Sequence, residues 1–166
     1  NLVKGFDDFI VKHPGYHLVI AGNAEGEYAD EVRQYIKTRE LGGQVLFLGY
    51  VKDEQLSFLY KNALAFTFPS FIEGFIGLPI LEAMDCGLPI IASNTAPLVD
   101  VGGKNSAIFV DPNDPKAIAR ALEKIAFDEN LRKELIENGY ILSQLFSWAR
   151  AAKETNAVLN FLFNSP

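Results

Sequence analysis

The sequence is poor in the residues that build metal centres and cross-linked frameworks. Among 166 residues it has one cysteine, two histidines, one methionine and one tryptophan. Cys86 has no second thiol to pair with, which excludes an internal disulfide and a multi-cysteine metal site and points to a reducing compartment. It precedes a helix-ending glycine beside apolar residues, so a packed thiol is expected rather than a nucleophile. His13 and His17 flank a Pro-Gly turn without a partner at metal-ligand or triad spacing, and surface or edge roles are expected for both. Positive charge is also short. Fifteen Lys and Arg stand against 21 Asp and Glu, a formal net charge of −6. That balance argues against a nucleic-acid binder, which presents a basic stripe to the phosphate backbone. A single small anion is still allowed, because helix termini and backbone amides supply a local field whatever the net charge. No apolar run approaches the ~20 residues of a membrane span, and the opening residues do not read as a secretory signal.

What is present suits one domain with a proper core: 49% of the residues are hydrophobic and 22% charged. Leu2 to Lys12 has helical spacing of Leu2, Phe6, Phe9 and Ile10, closed by Pro14-Gly15. A short strand follows over Tyr16 to Asn23, then a charged amphipathic helix over Glu27 to Glu40 with Val32, Tyr35 and Ile36 inward and Gly42-Gly43 as its stop. QVLFLGYV reads as the next strand, Asp53 as the cap of the helix EQLSFLYKNA, and LAFTFPS as a third strand. LPIIASN and SAIFVDP supply a fourth and a fifth. Asp114 and Pro115 open a helix over Lys116 to Asp128, and helical segments from Glu129 to Phe146 and from Ser147 onward complete the chain, with Trp148 as an expected anchor. Alternating short apolar strands and amphipathic helices predict an α/β fold, a Rossmann-like three-layer arrangement of one parallel sheet with helices on both faces and extra C-terminal helices. Ligands of such sheets gather outside the carboxyl ends of the strands.

The most informative stretch is Pro69 to Gly87, PSFIEGFIGLPILEAMDCG. The unalternating apolar run before it suits a strand buried on both faces. Gly74 and Gly77 bracket a loop that bends sharply and lets a ligand approach the backbone. Pro79 fits the first position of a helix that stops at Gly87. The helix start aims free N–H groups and the positive end of its dipole above the strand ends, where a phosphate is the usual occupant. Glu82 lies about one turn inside, and its acceptor-only carboxylate can take two hydrogen bonds from a vicinal diol such as a ribose. The plainer readings are a solvent-facing glutamate at 82 and a turn residue at Glu73.

This stretch resembles the signature of retaining glycosyltransferases of the GT-B type, most closely family 4 (group 1), with its pattern P-S-x-x-E-G-F-G-L-P-x-L-E-A-M-x-x-G-x-P. HLVIAGN, VLFLGYVKDEQLSFLYKNA, IIASNTAPLVDV, the VDP of Val110 to Pro112 and Phe146-Ser147-Trp148 are similar to further blocks of that family, from about Asn1 to Ala157. One departure stands out. The family separates its two glutamates by seven residues, whereas eight lie between Glu73 and Glu82, Ile76 being the extra one. Either the loop absorbs it as a bulge, at little entropic cost, or Glu73 moves out of register.

The resemblance implies the nucleotide-sugar-binding, C-terminal half of such an enzyme. Residues 1–166 would form one donor-binding domain, an excised piece lacking its first strand and the N-terminal domain that supplies the acceptor site in cis. Glu73 would sit at the transferred hexose or reacting centre, and Glu82 on the ribose hydroxyls. Backbone amides of Gly74, Phe75, Ile76, Gly77 and Leu78 would meet the sugar and diphosphate. Tyr50 and Val51 would border the base, with Gly22 and Asn23 at another strand end facing the same cleft. Transfer would retain anomeric configuration and need neither metal nor cofactor, on an unknown acceptor that in some relatives is membrane-linked, in the cytoplasm or at the inner membrane face. A nucleotide-sugar epimerase or sugar-phosphate synthase on the same fold, and a non-catalytic sugar-nucleotide-binding module, are the alternatives.

A diphosphate leaving group without a metal needs positive side chains besides helix N-termini. In the family an Arg and a Lys provide them just before the helix that here begins near Leu2, often as R-K-N, so Asn1 would follow that lysine and Lys4 is a poor substitute. At roughly 1.5 to 3 kcal/mol per charge-assisted hydrogen bond, losing two cations weakens binding by roughly a hundredfold to ten-thousandfold. The isolated 166-residue chain is therefore expected to bind a nucleoside diphosphate weakly and to transfer nothing. Calorimetric titration checks this, and sub-micromolar affinity would overturn it.

Overall fold

A computed structural model describes residues 1–71, 77–95, 99 and 105–164. Its order is α1 (Leu2–Lys12), β1 (Leu18–Ala21), α2 (Glu27–Thr38), β2 (Val45–Gly49), α3 (Asp53–Asn62), β3 (Phe66–Phe68), α4 (Leu78–Asp85), β4 (Ile90–Ser93), β5 (Ala107–Val110), α5 (Pro115–Phe127), α6 (Glu129–Ser143) and α7 (Trp148–Asn164). The alternation is the one the apolar pattern predicts, and the strands are parallel, with helices on both faces of β3, β4 and β5 and against one face of β1 and β2.

The expected single sheet is in two parts. β1 pairs with β2, and β3, β4 and β5 form a separate sheet in that order. The pleat then decides which helices cover which residues. Leu18, Ile20, Val45 and Phe47 pack with α1 and α2, around Phe6, Phe9, Ile10 and Ile36. Ile91, Ile108 and Val110 face α5 through Ile118, Ala121 and Ile125. Ile90, Ala92, Ala107 and Phe109 turn the other way, onto α3 and α4 through Tyr60, Ile80, Ala83 and Met84. Leu122 of α5 touches the clusters over both sheets. The helical layer is thus continuous where the strand layer beneath it is divided.

Several ends differ from the sequence expectation for local reasons. α2 stops at Thr38, well before Gly42-Gly43. Glu40 takes the left-handed conformation (φ 55°), and the Leu41 N–H closes the turn onto the Ile36 carbonyl at 2.9 Å. Asp53 lies inside the first turn of α3, while Lys52 caps it, donating its backbone N–H to Gln55 at 3.0 Å. Asp114 does cap, accepting from the Lys116 N–H at 2.9 Å, whereas Asp128, expected as the last residue of that helix, lies beyond it and caps the next one by accepting from the Leu131 N–H at 2.9 Å. First-turn N–H groups, that of Ala117 foremost, hold the Asp114 carboxyl below its ordinary range. Trp148 anchors nothing among the described residues, being 80% exposed at the head of a helix exposed along its length.

Two contacts fix α1. The buried Asp7 carboxylate accepts from the Tyr35 hydroxyl at 2.8 Å and Arg39 Nε at 2.7 Å, which gives a charge out of water the partners it requires. Gly5 lies against α5 so closely that a Cβ there would stand 2.7 Å from the Pro115 carbonyl oxygen and 2.8 Å from Ile118 Cβ. The backbone of α5 has no room to yield, so Gly5→Ala is expected to destabilise the chain by about 1–3 kcal/mol. Denaturant unfolding reads it as a lower midpoint at unchanged slope, and an unaltered midpoint would contradict this packing.

Candidate functional site at the strand ends

Strands that run parallel deliver their carboxyl ends to one edge, and the predicted residues emerge there in two groups. The first belongs to β1 and β2. Gly22 (φ 122°) and Gly49 (φ 65°) take conformations that side chains resist, and the Gly22 N–H donates to the Gly49 carbonyl at 2.8 Å. Both strands therefore leave their sheet side by side. Gly22 and Asn23 are exposed after β1. Tyr50, 79% exposed, and the half-buried Val51 follow β2 and line a cleft of about 460 Å³ with Leu48, Glu54, Phe58 and Leu59.

The second group belongs to β3 and α4. The hydroxyl of Ser93, the fully buried last residue of β4, donates to the Ser70 carbonyl and ties the ends of β3 and β4 together. Glu73, Gly74, Phe75 and Ile76 lie outside the described residues. Gly77 then caps α4 at φ 81°, where a Cβ would stand 3.3 Å from Phe68 Cε1. Glycine is required twice over, by its conformation and by the aromatic ring of β3. Leu78 opens the helix and Pro79 takes its second position, one later than expected. Leu78 is half exposed and Glu82 is exposed in the following turn. On the opposite side Ile80, Ala83 and Met84 are at most 2% exposed and pin the helix to β4 and β5. Gly87 (φ 78°) ends it, with the Leu88 N–H on the Ala83 carbonyl at 3.0 Å. Cys86 is packed against the same core, as its setting predicts.

The structure keeps the two groups on separate elements. Tyr50 and Val51 share a cleft, Gly77, Leu78 and Glu82 share the start of α4, and Glu82 is not among the residues lining that cleft. Lys4 is committed elsewhere, its ammonium 5.8 Å from the centre of the Tyr35 ring on α2. Among the described residues no cluster of three or more His, Cys, Asp or Glu is gathered, and no helix is long and apolar enough to cross a membrane.

One residue beside Glu82 escaped the sequence reading. Tyr60 of α3 is 6% exposed, packs edge-on to Phe66 at 5.5 Å and reaches the Pro79 carbonyl with its hydroxyl at 3.5 Å. Burial first, then the charge on Glu82 and the neighbouring Cys86, pushes its phenol up to about 12. The available signal was a tyrosine on the inward stripe of LSFLYKNA, since a buried phenol needs a partner for its hydroxyl.

Known proteins agree with this architecture. The family model described as glycosyl transferases, group 1, matches residues 1–141. O-antigen chain mannosyltransferase B of Escherichia coli is 38% identical over 140 residues, 84% of this chain and 36% of that protein. Among solved structures, a sucrose-phosphate synthase from Thermosynechococcus elongatus superposes with a TM-score of 0.85 at 28% identity, over 97% of this chain and 42% of that one. The C-terminal domain of a group 1 glycosyl transferase from Francisella tularensis gives 0.76 at 26% identity, over 86% of this chain and 75% of the domain. The chain thus spans well under half the length of the mannosyltransferase and the synthase it matches. With the family model matched over residues 1–141 and the backbone superposing over 97% of the chain, it belongs to the group 1 glycosyl transferases and has the Rossmann-like α/β architecture of their GT-B fold.

Proposed function

We propose that this chain is the donor-binding half of a retaining hexosyltransferase that takes its sugar from a nucleotide-diphosphate donor. The observation that carries this reading is the start of α4, which is held by Gly77 against Phe68 and presents Glu82 in its first turns just beyond β3. N–H groups at that terminus suit a diphosphate. An exposed carboxylate beside them, held on a helix pinned by Ile80, Ala83 and Met84, suits a ribose diol. In this reading Tyr50 and Val51 border the base, Gly22 and Asn23 close the other strand end, and Glu73 meets the hexose, with the amides of Gly74 to Leu78 on sugar and phosphate. Family membership and a mannosyltransferase relative support transfer over epimerisation. No metal or cofactor is assigned a role, and the acceptor site belongs to a second domain of the same polypeptide.

The divided sheet supports the same proposal. Among the described residues β1 and β3 each have a strand neighbour on one side only, under a helical layer that spans both sheets. A two-stranded parallel sheet is marginal alone, and parallel strands are ordinarily covered and flanked. A strand preceding α1 in the polypeptide would reach the gap by a right-handed crossover and bring the two groups of site residues onto one edge.

Two measurements test these statements. In the full-length polypeptide Glu73→Gln is expected to lower transfer by at least about a hundredfold with nucleotide affinity nearly unchanged; product analysis distinguishes transfer with retained configuration from epimerisation or no turnover, and unchanged turnover counts against Glu73. Amide exchange at Leu18–Ala21 and Phe66–Phe68 is expected to be slower in the full-length polypeptide than in the 166-residue chain, whereas equal rates would remove the inserted strand.

A further inference from the structure

We propose that Glu54 is a specificity-determining residue of the donor site and that the base it selects is guanine, so that the donor is a guanosine-diphosphate sugar. This deepens the proposed function and rests on its reading of the cleft beside Tyr50 and Val51 as the place of the base. The cleft holds about 460 Å³ and is walled by apolar side chains from β2 and α3. Tyr50 is 79% exposed, Phe58 66% and Leu48 45%. Exposed apolar residues scattered singly need no explanation, but these three line one cleft. Two of them are aromatic, and a flat ring offers any base a face to stack on.

Stacking accepts every base, so the choice falls to the polar groups. Among the described residues that line the cleft, Glu54 is the one with a charge, and Gln55 lies beside it. Asp53 already supplies an acid to the first turn of α3 and does not line the cleft, so the helix dipole does not account for Glu54. Glu54 has no ion pair among the described residues. The Gln55 side-chain oxygen accepts from the Lys52 N–H at 3.0 Å, which leaves its amide nitrogen to donate. The cleft thus combines the two acceptor oxygens of a carboxylate with an amide donor.

Among the common bases guanine complements that set. One edge of guanine carries a carbonyl oxygen followed by two donors, N1–H and the 2-amino group; the carboxylate takes both donors and the amide meets the oxygen. Uracil sets a single N–H between two carbonyl oxygens, so a carboxylate that takes the N–H faces a repelling oxygen. Adenine and cytosine each place an amino group beside an unprotonated ring nitrogen, with the same result. An acceptor set against an acceptor loses the hydrogen bonds that both had with water.

Calorimetry on the full-length polypeptide with GDP, IDP, UDP and ADP tests this; IDP differs from GDP only in lacking the 2-amino group. GDP is expected to bind more tightly than each of the others by roughly fivefold to a hundredfold, the worth of a bidentate contact to a base edge. Glu54→Ala is expected to bring GDP down to the level of IDP without weakening UDP. Phe58→Ala is expected to weaken all four by roughly fivefold or more, because stacking does not distinguish bases. A preference for UDP or ADP, equal affinity for GDP and IDP, or a GDP preference that persists in Glu54→Ala overturns the guanine assignment and leaves the chain a donor-binding domain for another nucleotide. Unchanged affinity in Phe58→Ala places the base elsewhere and overturns the assignment too. Binding of none of the four overturns the proposed function and the guanine assignment with it.

Discussion

Burial of β4 on both faces is the constraint on which the rest of this structure depends. Ile90, Ile91, Ala92 and Ser93 are all at most 1% exposed, so each side chain must be matched by a helix above or below. Ile90 and Ala92 demand α4 and its neighbours, and Ile91 demands α5. Burying four successive residues this way contributes the apolar area that fixes both helices, at about 25 cal/mol for each Å² removed from water. The position of the α4 N-terminus follows from that packing and not from anything the terminus itself does. The candidate site is thus a by-product of the core in the physical sense: it lies on the outer face of a helix whose inner face is sealed against β4 and β5.

The two halves of the molecule solve this problem unequally. Around β4 the strands are sealed, whereas β1 and β2 are covered on one face by α1 and α2 and leave Val19, Leu46 and Leu48 each about 40–45% exposed on the other. What holds β1 and β2 in place is the helical layer, through the tight α1–α5 contact at Gly5 and the Asp7 carboxylate shared by Tyr35 and Arg39. A glycine and a buried acid, both unusual choices for a helix interior and a core, are explained by one requirement: α1 must lie close to α5 and α2 at once.

Much of this was legible in the sequence because periodicity and burial are local to each segment. The strands around Ile20, Phe47, Thr67, Ile91 and Ile108 and the helices between them stand out by apolar spacing, and the cap at Asp114 by its chemistry. Helix ends that depend on the backbone were less legible. Glu40 adopts a left-handed conformation that a search for glycine overlooks, and Lys52 caps with its backbone where the side chain of Asp53 looked the better choice. The division of the sheet was invisible because strand pairing is a relation between distant segments, and no single segment carries it. Tyr60 was missed for the same reason. Its ring reads as one more core residue, and only the approach of α4 gives its hydroxyl a role.

The Ser93–Ser70 bond and the seat of Gly77 against Phe68 have a consequence for how this region tolerates change. Both are attachments to the same buried strands, and they stand on either side of residues 71–76. They act as fixed boundary conditions. The two end points are placed by the core, so the frame in which α4 presents Glu82 is set from Gly77 onward, by the ring of Phe68 and the buried face of the helix.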